Sequence, residues 1–137
     1  MKFSFQILSF LKRYPLSCCL IAAIWVLCFM DVPDTPLSDV AFIDKWTHFA
    51  MYGTTCAVIF AETLRAYGLR CRRRRLFVAA WLLPVLMSGL IEILQATCTG
   101  GRRSGEWLDF AANSVGATIG MAIGTLLAVC LSRRRRG

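Results

Sequence analysis

Four pairs of polar residues stand at helical spacing inside otherwise apolar stretches of this sequence. Asp44 and His48 are four apart, Asp109 and Asn113 four apart, Glu92 and Gln95 three apart, and Ser88 and Glu92 four apart. Such spacings put both members of a pair on one helix face. The chemistry on offer is proton transfer: a histidine near neutral pH, a carboxylate one turn away to orient it, and a second carboxylate opposite. Lys45 is adjacent at the start of the same segment. Glu92 is the most informative of the set. It interrupts the run Leu90-Ile91-Glu92-Ile93-Leu94 and is too deep in it to cap a helix. His48, Glu92 and Asp109 are also a chemically reasonable set for a divalent metal, but no metal motif such as H-E-x-x-H is present, and no metal is expected. The sequence names no cofactor. A purely structural reading stays open: buried Asn, Gln and His often tie membrane helices together, and Asp44 or Asp109 can serve as a helix N-cap.

The elements that must position these residues are apolar helices. The chain has 137 residues, 57% of them hydrophobic, with a mean hydropathy of +0.58. That exceeds the apolar share of ordinary soluble domains. A bilayer core about 30 Å thick needs roughly 20 helical residues. Four segments meet this: about 14–30, 43–66, 76–98 and 107–131, the third kinked by Pro84. Residues 2–12 carry a separate stripe, with Lys2, Gln6, Ser9 and Arg13 on one face and Phe3, Ile7, Leu8, Phe10 and Leu11 on the other. That pattern fits a helix lying in the membrane interface. A cleaved signal peptide is the competing reading, but the apolar run ends Phe29-Met30-Asp31 with no small-residue cleavage site. The expected architecture is therefore all-α: one domain over 1–137, a polytopic membrane four-helix bundle with a short N-terminal interfacial helix.

Charge sets orientation. The formal net charge is +8, yet the basic residues lie in short blocks between apolar runs rather than on one solvated face, which argues against nucleic acid as a partner. Thirteen of the sixteen basic residues fall on one side of the expected helices: Lys2, Lys12, Arg13, Arg65, Arg70, Arg72 to Arg75, and Arg133 to Arg136. Lys45, Arg102 and Arg103 fall on the other. The positive-inside rule then puts both termini in the cytoplasm. The seven cysteines follow no disulfide or metal spacing and read as packing residues. At 1.5 Å per residue, His48 lies about 7 Å below the outer end of its helix, and Glu92 and Asn113 about 9 Å below theirs. Three helices thus offer polar groups at one level under the outer surface, where ionisable residues are functional candidates by default. Ala112, Gly116, Gly120 and Gly124 form a small-residue ridge beside Asn113 that lets a neighbouring backbone approach closely. The glycine-rich stretch 99–106 permits the same.

On these residues the chain resembles the VanZ-like family of bacterial membrane proteins. The matching pieces are Asp44-Lys45-Trp46-Thr47-His48-Phe49, Gly89-Leu90-Ile91-Glu92-Ile93-Leu94-Gln95, Gly101-Arg102-Arg103, and Glu106 through Gly116. The resemblance implies a multi-pass protein of the bacterial cytoplasmic membrane. It also implies a link to glycopeptide resistance, because the family's founding member is associated with resistance to teicoplanin. The positions that transfer are Asp44, Lys45, His48, Glu92, Gln95, Arg102 or Arg103, Asp109 and Asn113. The location of these residues points to an envelope-lipid headgroup, isoprenoid or cell-wall precursor, as the partner. In that reading His48, Glu92, Asp44 and Asp109 do the chemistry, and Lys45, Gln95, Arg102, Arg103 and Asn113 bind substrate.

Overall fold

A computed structural model describes residues 2–30, 42–68, 71–100 and 105–134, with side chains from Gln6 onward. The described residues form helices and no strands. α1 spans Lys2–Arg13 and α2 Pro15–Phe29. α3 spans Ile43–Tyr67. α4 (Arg73–Phe77), a π-helical turn at Val78–Leu82 and α5 (Leu83–Cys98) follow one another as a single rod. α6 spans Trp107–Arg134.

Two of these helices, the rod Arg73–Cys98 and Trp107–Arg134, are long and apolar enough to cross a membrane. The bent pair Gln6–Arg13 and Pro15–Phe29, meeting at 94°, passes as a third if taken as one span. α3 does not pass, for a physical reason visible in its sequence. It carries Asp44, Lys45, His48, Glu62 and Arg65 on 25 residues, and it packs along α6, α2 and the π-helical turn. A helix surrounded by other helices needs less apolar surface than one facing lipid. Of the four expected spans, two pass on length and composition alone, and a third does if the bent pair is one span.

α3 and α6 run parallel and unusually close. Lys45 meets Asp109, His48 meets Asn113, and further along Phe60 meets Gly124. The ridge explains the approach. A Cβ on Gly116 would collide with the Phe49 carbonyl oxygen, and one on Gly120 with the Gly53 carbonyl oxygen. The ridge is therefore spent within the chain, on α3. The rod runs antiparallel to both, with Ser88 at Asn113 and Trp81 at Thr118. α2 runs alongside the rod, and Gln95 donates to the Cys28 carbonyl at 2.7 Å. Tyr52, Ile24, Ile91 and Cys28 fill the space between α2, α3 and α5.

Pro84 disturbs the helix through its missing donor. It has no N–H to give the Ala80 carbonyl, and the backbone widens ahead of it into the π-helical turn, where Leu83 N–H reaches Val78 O. The rod continues through it, and Trp81 Nε1 donates to Thr118 Oγ1 at 2.9 Å.

Candidate functional site

The site is built at the ends of α3, α5 and α6 that carry the acids. Asp44 sits in the first turn of α3 and Asp109 in the first turn of α6, where the positive helix N-terminus favours a carboxylate. Neither is held by a side-chain cap on its own helix. Both turn to Lys45, whose Nζ lies 3.3 Å from Asp44 Oδ2, 2.8 Å from Glu106 Oε2 and 2.5 Å from Asp109 Oδ1. Lys45 is thus a shared counter-cation for three carboxylates. Asp44 remains exposed, whereas Asp109 is nine-tenths buried.

His48 lies one turn deeper. Its Nε2 is 3.7 Å from Asp44 Oδ1, and its Nδ1 is 3.1 Å from Asn113 Oδ1. Asn113 is buried and donates through Nδ2 to Ser88 Oγ at 2.7 Å. With the amide so placed, His48 donates through Nδ1 and turns Nε2 toward the carboxylates. A chain Ser88–Asn113–His48–Asp44 therefore crosses from α5 through α6 to α3.

Glu92 stands one turn from Ser88 on the same face of α5. It is buried, with 8% of its surface exposed. Its Oε2 accepts the Glu106 backbone N–H at 3.1 Å, while its Oε1 has no hydrogen-bond partner among the described residues. Gly105 makes this possible, because any Cβ there would collide with the Glu92 carbonyl oxygen. The chain thus crosses the end of α5 in backbone contact, as the glycine-rich stretch suggests. Glu92 lines a crevice of about 170 Å³ with Gly89, Ile93, Trp107 and Phe110 between α5 and α6. Ile93 and Trp107 are exposed beside it. Glu92 lies within electrostatic reach of Asp109, His48 and Lys45.

The structure thus brings together Asp44, Lys45, His48, Asp109 and Asn113, with Glu92 close by. Gln95 is occupied elsewhere, on α2. Arg102 and Arg103 lie outside the described residues. Two participants were not singled out for this end in the sequence: Glu106, which joins the Lys45 cluster, and Tyr52, wholly buried below it. Glu106 sits three residues before Asp109, the signal that could have found it.

A third buried carboxylate lies at the opposite, basic end. Glu62 Oε1 accepts from Leu16 N–H at 3.2 Å, and its Oε2 from Ser17 N–H at 3.1 Å and the Ser17 hydroxyl at 2.6 Å. It closes the N-terminus of α2 from a neighbouring helix, a position where unsatisfied N–H groups and the helix dipole both favour an anion. Arg65 Nη2 stands 3.7 Å from Glu62 and donates to the Arg13 carbonyl at 3.0 Å. Pro15 after Arg13 was the available sequence signal, since it marks a helix start needing acceptors.

Apolar helices with a buried, hydrogen-bonded cluster of ionisable side chains at one end define a helical membrane protein. More narrowly, the chain belongs to the VanZ/LLP1 family, whose model matches residues 10–128. No curated protein and no solved structure matches it.

Proposed function

We propose that this chain is a four-span protein of the bacterial cytoplasmic membrane, with α1 in the interface and both termini inside, that binds or processes a lipid-linked envelope headgroup at the acidic end of its helices. Glu92 carries the reading. A carboxylate in the middle of an apolar run is costly in a bilayer. Among the described residues this one keeps an oxygen without a partner, and it lines a crevice whose rim, Ile93 and Trp107, is exposed. A headgroup attached to a lipid chain can enter such a crevice from the side.

In this mechanism His48 and Glu92 move protons, Asp44 orients His48, and Asp109 holds Lys45 in the site. Asn113 and Lys45 position the substrate, and Arg102 or Arg103 holds its anionic part through paired hydrogen bonds. The resemblance extends the proposal to glycopeptide tolerance. The test is to express Glu92→Gln, His48→Ala and Asp109→Asn at matched levels and measure teicoplanin susceptibility and binding of isoprenoid-phosphate lipids. Loss of binding at normal protein level supports the reading, and full retention by all three variants overturns it.

A specific observation favours a second reading. Lys45 is surrounded by three carboxylates, and Asn113 bonds on both sides. A scaffold or interaction protein with no chemistry, whose polar cluster locks three helices, would look the same there. In that case the substitutions lower stability and protein level together, with no change in lipid binding per folded molecule.

A further inference from the structure

The basic end holds two arginines that converge on one tyrosine with no acid between them. By sequence, thirteen of the sixteen basic residues fall at this end, and of the eight acidic ones only Glu62. Glu62 is committed to the N-terminus of α2 and stands 3.7 Å from Arg65. Among the described residues, Arg13 and Arg75 meet no carboxylate. The stretches 1–5, 69–70 and 135–137, which adjoin this end in sequence, contain no acidic residue. The Arg13 guanidinium carbon stands 5.3 Å from the centre of the Tyr67 ring, and that of Arg75 4.1 Å from it. Arg13 Nη1 also donates to the Tyr67 hydroxyl at 3.0 Å. Orientation in a membrane needs cations on this side. It does not need two of them drawn against one ring. Their charges lie no farther apart than one Debye length, about 10 Å, so salt does not abolish their repulsion.

Beside this pair, Gln6, Ser9, Phe10, Arg13, Tyr14 and Tyr67 line a cleft of about 310 Å³, which Arg75 adjoins through Tyr67. One wall is α1, which meets α2 at 94° and so lies across the direction of that helix. Its Ile7, Leu8 and Leu11 are exposed. An anion in the cleft therefore sits beside apolar side chains of a helix suited to the membrane surface. We propose that Arg13, Arg75 and Tyr67 bind the phosphate of an anionic phospholipid from the leaflet at the basic end. The guanidinia supply charge-assisted, paired hydrogen bonds to the phosphate oxygens. The Tyr67 hydroxyl accepts from Arg13 and has its own hydrogen to donate. Gln6 and Ser9 offer polar partners for a headgroup with hydroxyls, which suits phosphatidylglycerol better than phosphatidylcholine. The acyl chains then lie along Ile7, Leu8 and Leu11. Basic pockets between membrane helices hold anionic headgroups in this way. The site is at the end opposite Glu92 and does not depend on the reading given for that crevice.

The experiment uses full-length protein, delipidated in dodecyl maltoside, with dihexanoyl phosphatidylglycerol, dihexanoyl phosphatidylcholine or sodium phosphate added. Native mass spectrometry counts bound lipid, and thermal unfolding is followed alongside. The expected result is one phosphatidylglycerol per chain and a raised unfolding temperature, with no shift from phosphatidylcholine or from phosphate at the same concentration. Arg13→Lys/Arg75→Lys keeps both charges and loses both forks. It should weaken phosphatidylglycerol binding on the order of tenfold, since bonds to charged groups are worth that much or more. Arg133→Gln/Arg134→Gln removes two cations of the same end that lie outside the cleft, and should bind as wild type does. An equal shift from phosphatidylcholine overturns the proposal, and so does an equal shift from phosphate alone, the mark of a free-anion site. Unchanged binding in the Arg13/Arg75 variant overturns it too. So does an equal loss in the Arg133/Arg134 variant, the mark of diffuse charge attraction. Glu92→Gln should bind phosphatidylglycerol as wild type does, so failure here and failure of the headgroup reading are separate results.

Discussion

The imidazole of His48 and the amide of Asn113, 65 residues apart in sequence, meet at 3.1 Å and join α3 to α6. The same amide reaches Ser88 on α5 at 2.7 Å. One buried side chain thus holds three helices in register at the level of the candidate site. Interhelical hydrogen bonds in membranes are worth about 0.6 kcal/mol on average and rarely above about 1.7.

Asn113→Leu keeps the volume and removes both bonds. The expected cost is about 1–3 kcal/mol, including the orphaned partners. Thermal unfolding in detergent should show a drop of several degrees. An unchanged unfolding temperature would mean that Asn113 does not tie the helices.

Gly120 should tolerate substitution least along α6. A methyl group there meets the Gly53 carbonyl oxygen, a backbone atom that cannot step aside without moving α3. Gly120→Ala is expected to destabilise by about 1–3 kcal/mol, the usual range for overpacking. Ile119→Ala, its exposed neighbour, should change stability little. Comparing the unfolding temperatures of the two variants separates a packing seam from a general effect of altering the helix.

The helices were legible because their determinants are local. Apolar run length and flanking charge place Ile43–Tyr67 and Trp107–Arg134 to within three residues of the expected 43–66 and 107–131. Helical rise also set His48 and Asn113 at matching positions on their helices, and the two meet. What could not be read is pairing between distant segments. Spacing shows that Glu92 and Gln95 share a face, but not that one lines a crevice while the other is spent on the Cys28 carbonyl. The role of Glu62 could not be read from its own surroundings, because it depends on the N-terminus of α2, 45 residues earlier. Pro84 signals a disturbed helix. That the disturbance takes the form of a π-helical turn at Val78–Leu82 is not written in the proline alone.

Glu62 leads to the third prediction. Its two oxygens accept three hydrogen bonds from Leu16 and Ser17, and bonds to a charged group contribute about 1.5–3 kcal/mol each. Glu62→Ala leaves two helix-terminal N–H groups without an acceptor in an apolar setting. Stability should fall by about 3 kcal/mol or more. Hydrogen exchange at the start of α2 should rise sharply, with smaller changes around Asn113. Glu62→Gln, which keeps an acceptor, should fall between Ala and wild type.

Orientation is tested by the cysteines. Two of the seven mark opposite ends of the rod. Cys98 is exposed at the last residue of α5, on the side of Asp44 and Asp109. Cys71 precedes α4 on the side of the arginine clusters and is partly exposed. Alkylation needs a thiolate in contact with water, so each cysteine reports the compartment that bathes its end. In two single-cysteine variants in intact cells, a membrane-impermeant maleimide should label Cys98 directly and Cys71 only after permeabilisation. The reverse pattern would put thirteen of the sixteen basic residues outside, against the bias that orients membrane helices. It would also move His48, Glu92 and Asp109 to the inner leaflet, where lipid-linked precursors of the outer surface could not reach them from the periplasmic side.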